Sequence, residues 1–197
     1  MKSYIVKKVN TVAWNAIEKV ELVHQPWLEP CAIRAWAQLC HDEENLYIRM
    51  EAEEKNIRAT LTGLLDAICT DSCMEFFFAP CAGDKRYMNF EWNLLGAVNF
   101  GFGAERATRV RQVVKDANAM FAPKPFETEK GWGIEYQVPK ALVKMYFPDA
   151  QFSGEAAGNF YKCGDLTERE HYMAWAPMGS EKPDFHRRQD FGTLVFE

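Results

Sequence analysis

Apolar and polar side chains alternate with a period of two through most of this chain, and that period restricts what it can fold into more than any other feature. In "CAIRAWAQLC" (residues 31–40), Ile33, Ala35, Ala37 and Leu39 share one side and Arg34, Trp36 and Gln38 the other, as a strand with one face in a core requires. "HDEEN" (41–45) reads as a turn. "LYIRMEA" (46–52) then sets Leu46, Ile48 and Met50 against Tyr47, Arg49 and Glu51, so the two runs read as a hairpin. "SCMEFFFAP" places Met74, Phe76 and Phe78 opposite Cys73, Glu75 and Phe77 and ends at Pro80. "RYMNFEWNLLG" is the most divided run, with Arg86, Met88, Phe90, Trp92 and Leu94 on one side and Tyr87, Asn89, Glu91 and Asn93 on the other. "AVNFGFG", "GWGIEYQV", "GNFYKC", "HYMAWAP" and the terminal "FGTLVF" supply further strands.

Helix is scarce. "VPKALVKMYFP" predicts one or two turns, with Pro139 at the first helical position and Pro148 as the stop. Residues 61–69 and 104–129 read as long loops, each with room for a short helix. No repeat or linker divides the chain. The expectation is a single all-β domain over residues 1–197, an antiparallel β-sandwich of jelly-roll or immunoglobulin-like type with one or two short helices.

Composition narrows the function. A formal charge of −5 argues against nucleic acid or an anionic membrane as partner, since both need clustered Lys and Arg. "MKSYIVKKVN" holds no continuous apolar segment and nothing later reaches the length of a membrane span, so the expected location is cytoplasmic. On that reading the six cysteines are reduced thiols packed in the core. Cys69 and Cys73 form a C-x-x-x-C pair, but no second pair follows to complete a structural zinc site. Aromatic residues make up 14% of the chain, which fits either a large aromatic core or ring platforms for a ligand.

Three segments, in order and at matching distances, resemble the family 9 carbohydrate-binding modules and their DOMON-like relatives. They are "AQLCHDEENLYIRMEAEE", "DSCMEFFFAP", which is similar to the family's "DSVEIF" strand, and "GWGIEYQVPKALV", similar to its strand that leads through proline into a short helix. The resemblance covers residues 30–197. It implies an antiparallel sandwich that binds a mono- or oligosaccharide without turning it over, alongside a separate glycoside hydrolase as partner. It also implies an aromatic clamp, one side of which lies in the loop before the last strand. Here that loop is "EKPDFHRRQD", so Phe185 becomes the expected stacking ring and Asp184, His186 and Arg187 the expected hydroxyl partners. The other clamp position departs from the pattern, with Ile68 or Cys69 where the family carries Trp.

A sugar offers C–H faces to a ring and a rim of hydroxyls to fixed donors and acceptors. If the hairpin and the next two strands share one sheet, Arg34, Trp36, Tyr47, Arg49, Glu75, Tyr87, Asn89, Glu91 and Asn93 all emerge on its non-core face and form such a surface. The bland alternative is a structural face covered by the long loops, with Phe185 as a plug. Two other classes stand beside it. Glu75 and Glu91 on strands about 4.8 Å apart approach the carboxyl pair of a retaining glycosidase, about 5–5.5 Å apart. The resembled fold group also includes b-type haem proteins, which need Met and His ligands, although Met50, Met74 and Met88 fall on core faces. No cofactor is expected, apart from a structural Ca²⁺ for which "HDEEN" is the oxygen-rich candidate.

Overall fold

The computed structural model describes residues 2–197 and turns the alternation into thirteen strands among them: β1 Ser3–Lys8, β2 Val20–Glu21, β3 Arg34–His41, β4 Asn45–Glu53, β5 Cys73–Ala79, β6 Tyr87–Trp92, β7 Val98–Gly103, β8 Val110–Gln112, β9 Lys124–Thr128, β10 Gly131–Pro139, β11 Gly154–Gly164, β12 His171–Ala174 and β13 Gly192–Phe196. Two short helices accompany them, α1 Ala117–Phe121 and α2 Lys140–Tyr146. The first sheet runs β8-β7-β6-β5-β11-β13, with β12 also on β11, and the second runs β3-β4-β10-β9, with β2 on β3. This is the all-β sandwich the alternation predicts.

β1 joins the two sheets. Residues 3–6 pair parallel with residues 193–196 of β13, after which Lys7 and Lys8 pair parallel with Cys40 and His41 of β3. A strand that switches sheets closes one corner of a sandwich, and it is the one parallel element in an otherwise antiparallel fold. Its inward residues are only Tyr4 and Val6, while the apolar Ile5 points to solvent. That outward Ile5 hides the alternation.

The β3–β4 hairpin forms in the expected register, with Gln38 opposite Arg49. The premise that it shares a sheet with the next two strands fails, because β4 pairs with β10 whereas β5 pairs with β6 and β11. Residues 54–72 are long enough to cross the sandwich, and strands adjacent in sequence are held side by side only by a short turn. Within residues 104–129, read as a loop, lie β8, α1 and β9. α1 is capped by Asp116, whose Oδ1 accepts from Ala119 N at 2.9 Å. α2 follows Pro139 as expected, with the proline as its cap residue.

Two apolar regions result. Between the sheets lies the main core, with Phe76, Phe78, Phe90, Trp92 and Phe160 from the first sheet against Leu46, Ile48, Trp132, Ile134 and Val138 from the second. The outer face of β5, β6 and β11 is buried as well, where Phe77, Tyr87 and Tyr161 meet Ile68, Phe185 and Phe191 from covering segments. All six cysteines are free thiols, and Cys40, Cys73 and Cys163 are buried.

One ion pair ties the sheets together inside this apolar mass. Lys162 Nζ of β11 lies 3.1 Å from Glu54 Oε2, just past β4, and both side chains are sealed from solvent. Glu54 also accepts from Trp132 Nε1 at 2.8 Å and Ser72 Oγ at 2.9 Å, while Lys162 donates to His171 Nε2 at 2.7 Å. His171 Nδ1 sits 2.8 Å from the Arg169 carbonyl, which selects the tautomer protonated there. Burial first, and then the Lys162 ammonium, pushes His171 down to about 4, so the ring is neutral at physiological pH. Burial alone would raise the Glu54 carboxyl, but Lys162 and the Trp132 hydrogen bond outweigh it and hold the group below its ordinary range. Lys162→Met leaves that carboxylate uncompensated and is expected to cost about 3–5 kcal/mol. Adding Glu54→Gln should restore a large part of the loss, both read as shifts of the urea midpoint at constant slope.

Candidate binding site

The outer face of the first sheet presents a carboxyl pair. Glu75 of β5 stands directly opposite Glu91 of β6, which sets their Cβ atoms about 5 Å apart. Both are buried, so the charges must be met from within the protein. Glu91 Oε1 accepts from Asn89 Nδ2 and its Oε2 from Asn99 Nδ2, each at 2.8 Å, with Arg109 Nη2 at 3.7 Å from Oε1. Glu75 Oε1 accepts from Cys163 Sγ at 2.9 Å. Burial, and next the neighbouring Glu91 charge, holds Glu75 well above the usual carboxylate range. Burial raises Glu91 as well, against the pull of Arg109 and Asn99. The pair therefore divides into a protonated Glu75 and an arginine-paired Glu91.

Arg109 reaches this floor across β7. A Cβ on Gly101 would stand 2.4 Å from Asn89 Oδ1 and 2.8 Å from Arg109 Nη1, so a glycine is what lets the guanidinium lie over the strand. Nε and Nη1 of Arg109, and Oδ1 of Asn89 and Asn99, are buried with no protein partner among the described residues. Such unpaired buried groups are uncommon and call for a partner.

Above the floor is a small recess of about 60 Å³ that opens to solvent. Aromatic walls come from three segments. Phe185, before β13, is stacked on Tyr161 at 4.1 Å between ring centroids, Trp27 lies 5.3 Å from it, and Tyr172 meets Trp27 edge-on at 5.5 Å. Trp27 is held by its indole N–H, which donates to the Ser180 carbonyl at 2.8 Å. Arg106 Nη1 donates to the Pro183 carbonyl at 3.2 Å across the mouth. Asp184 Oδ1 accepts from His186 N at 3.0 Å, and Tyr87 Oη lies 2.8 Å from His186 Nδ1. Burial, with Arg109 and Arg106 nearby, drives His186 down to about 3 and keeps it neutral. Burial also raises the Asp165 carboxyl at the recess wall.

Of the residues predicted from sequence, Glu75, Glu91, Asp184, Phe185 and His186 line this recess. Asn89 sits behind Glu91 as its hydrogen-bond donor. Phe185 is a wall with one face already spent on Tyr161. Asn93 has a different task, since its amide donates to Asp71 Oδ2 at 3.0 Å and the Leu61 carbonyl at 2.8 Å and its Oδ1 accepts from Leu95 and Ala97. It pins the covering segment. Arg187 pairs with Asp190 at 2.7 Å and lines a neighbouring hollow.

Arg34, Trp36, Tyr47 and Arg49 do not join the group, because the hairpin lies in the other sheet. Arg34 pairs with Glu21 at 2.8 Å, Lys19 lies over Trp36 at 4.8 Å, Tyr47 donates to Asp42 at 2.7 Å, and Arg49 bonds Glu135 and Glu51. Trp27, Arg106, Arg109, Asp165 and Tyr172 were not singled out by sequence. The available signals were a Trp between prolines in "HQPWLEP" and the arginine-dense "AERATRVRQ". Ile68, one of the two candidates for the missing clamp ring, is wholly buried, whereas Cys69 reaches the recess.

The residues of the other ligand ideas lie elsewhere in the fold. In "HDEEN", Asp42 Oδ1 accepts from Glu44 N and Asn45 N, its Oδ2 from Tyr47, and its carbonyl from Lys140, so the Asp42 oxygens are used internally. Met50, Met74 and Met88 pack in the main core, away from the recess. No helix among the described residues is long and apolar enough to cross a membrane.

Comparison with known proteins agrees with this architecture. The model of carbohydrate-binding family 9 matches residues 3–196. A Bacteroides uniformis ATCC 8492 protein assigned to carbohydrate binding is similar at 30% identity and a TM-score of 0.85, over 100% of this chain and 99% of that one. A family 9 module from Caldicellulosiruptor kristjanssonii, solved with cellotriose, shares the fold at 10% identity and a TM-score of 0.67, over 98% and 93% of the two chains. Its complex with glucose matches at 12% identity and 0.68, over 100% and 96%. No curated protein matches the sequence. By the near-complete family match and the 30% identical relative, the chain belongs to carbohydrate-binding family 9.

Proposed function

We propose that this protein binds a mono- or oligosaccharide in the recess on the outer face of β5, β6 and β11 and does not hydrolyse it. The observation that carries the reading is the pairing, in one recess, of aromatic walls with the buried Arg109 guanidinium, whose Nε and Nη1 lack protein partners among the described residues. Rings suit the C–H faces of a sugar, and a guanidinium, a carboxylate and a carboxylic acid supply hydroxyls with donors and acceptors. Family membership and the glucose and cellotriose complexes of the Caldicellulosiruptor module support the same class of ligand. A retaining glycosidase needs one carboxylate free to attack. Here Glu91 is held by Asn89, Asn99 and Arg109, and Glu75 keeps its proton beside Cys163. That supports binding over turnover, with any hydrolysis left to a separate glycoside hydrolase.

Trp27→Ala and Arg109→Met should each weaken binding of glucose or cellobiose about tenfold, on the order of 1.4 kcal/mol by titration calorimetry. Arg34→Ala and Arg49→Ala, on the other sheet, should leave it unchanged. Wild-type affinity in Trp27→Ala would take the aromatic wall out of the site.

The protonated Glu75 also gives a pH dependence. Its folded pKa lies above the ordinary carboxylate value, so its O–H is available at low pH and is lost as pH rises through the raised pKa. Sugar affinity should therefore decline as pH rises past the ordinary carboxylate range in wild type and stay level in Glu75→Gln, which keeps a donor at any pH. A decline of equal size in Glu75→Gln would assign the titration to another group.

A further inference from the structure

Beneath the recess, the strand register sets two thiols beside Glu75, and sugar binding requires neither thiol. Cys73 of β5 stands directly opposite Cys163 of β11, and Glu75 follows Cys73 by two residues on the same face. One ligand atom from each of the three lies within 4.8 Å of the others, and all three side chains are buried. We propose that Cys73, Cys163 and Glu75 bind a thiophilic divalent cation, of which Zn²⁺ is the representative.

The donor set selects the class of metal. Two thiolates and one carboxylate suit Zn²⁺, whereas Ca²⁺ and Mg²⁺ take oxygen ligands. Zinc sits about 2.3 Å from sulfur and about 2.0–2.2 Å from carboxylate oxygen in a tetrahedron, so its ligand atoms stand roughly 3.5–3.8 Å apart. The three groups come within reach of that spacing by side-chain rotation alone, because rigid paired strands already hold them on one face. Three protein ligands leave one tetrahedral position. Glu75 and Cys163 line the recess while Cys73 lies deeper, so the fourth position opens toward the recess, where water or a sugar hydroxyl completes it.

Binding balances as a proton exchange. Two S–H bonds and the Glu75 O–H bond break, two metal–sulfur bonds and one metal–oxygen bond form, three protons leave to solvent, and no electrons move. The Cys163 hydrogen bond to Glu75 is replaced by a shared metal. Two thiolates and a carboxylate carry three negative charges against two positive ones; Lys162 and Arg109, already paired with Glu54 and Glu91, still act favourably on Cys73 and Glu75 and reduce the cost of the excess. The site stands on the thiol geometry and does not depend on the saccharide reading.

The test uses the full chain, reduced and stripped with chelator, then titrated with Co²⁺. A thiolate-to-cobalt charge-transfer band saturating at one equivalent is expected, displaced by Zn²⁺, and native mass spectrometry should show one metal per chain. Cys73→Ser and Cys163→Ser should each abolish the band, Cys31→Ser should keep it, and Glu75→Gln should keep it with affinity about tenfold lower. No band at several equivalents of Co²⁺, or a band that survives in the folded Cys73→Ser/Cys163→Ser double variant, would overturn the proposal. Should the serine variants fail to fold by circular dichroism, loss of the wild-type band on alkylating the thiols, and its absence at one equivalent, decide the question. Absence of a sugar-induced change in melting temperature in a protein that does bind Co²⁺ would count against the saccharide reading alone.

Discussion

Glu75 faces Glu91 across two hydrogen-bonded strands, and much of the first sheet's outer face is organised by the need to keep both carboxyls under cover. Two ionised carboxylates at that spacing in a buried site repel one another, so one keeps its proton and the other takes a cation. The cation is Arg109, which reaches Glu91 only because Gly101 leaves room over β7. Asn89 and Asn99, on either side of Glu91 in the β6–β7 pair, are spent on its oxygens. Of the groups left unpaired there, the Arg109 guanidinium is the one that lines the recess.

The cover has its own supports. Asp71 accepts from the backbone of Thr60 and Leu61 and from Asn93, which fixes the long crossing between the sheets against the end of β6. Arg111 of β8 donates to the Leu65 carbonyl and Arg106, in the turn before β8, to that of Pro183, so this stretch holds two covering segments. At the other end, Glu54 and Lys162 join the second sheet to the first in a pocket sealed from water. The sandwich thus carries polar ties at the places where its two layers and its covering loops meet, and apolar packing elsewhere.

Most strands could be read directly from residue order. β3 to β7 and β10 to β13 follow clear alternation, because each has one face in an aromatic or aliphatic core and the other beside polar groups. β1 escaped because Ile5 is apolar and exposed, and β8 and β9 because they are short edge pieces with little buried area. At the site, Glu75, Glu91, Asp184, Phe185 and His186 were identifiable from strand phase and from the resemblance in the loop before β13. Trp27, Arg109 and Tyr172 were not, since they lie far from these in sequence and only the packing of covering segments brings them together.

The sequence by itself determined the class of fold and, in the strands with clear alternation, the face on which each residue lies, because a period of two is a local property of the backbone that any pleated strand obeys. It also determined that Glu75 and Asn89 would share a face with Phe77 and Tyr87. Only the tertiary structure decided that this face belongs to a different sheet from that of Arg49 and Trp36, and that it lies buried under loops. Sheet membership depends on which strands pair across long connections, and such pairing is set by the summed packing of distant residues rather than by any local pattern.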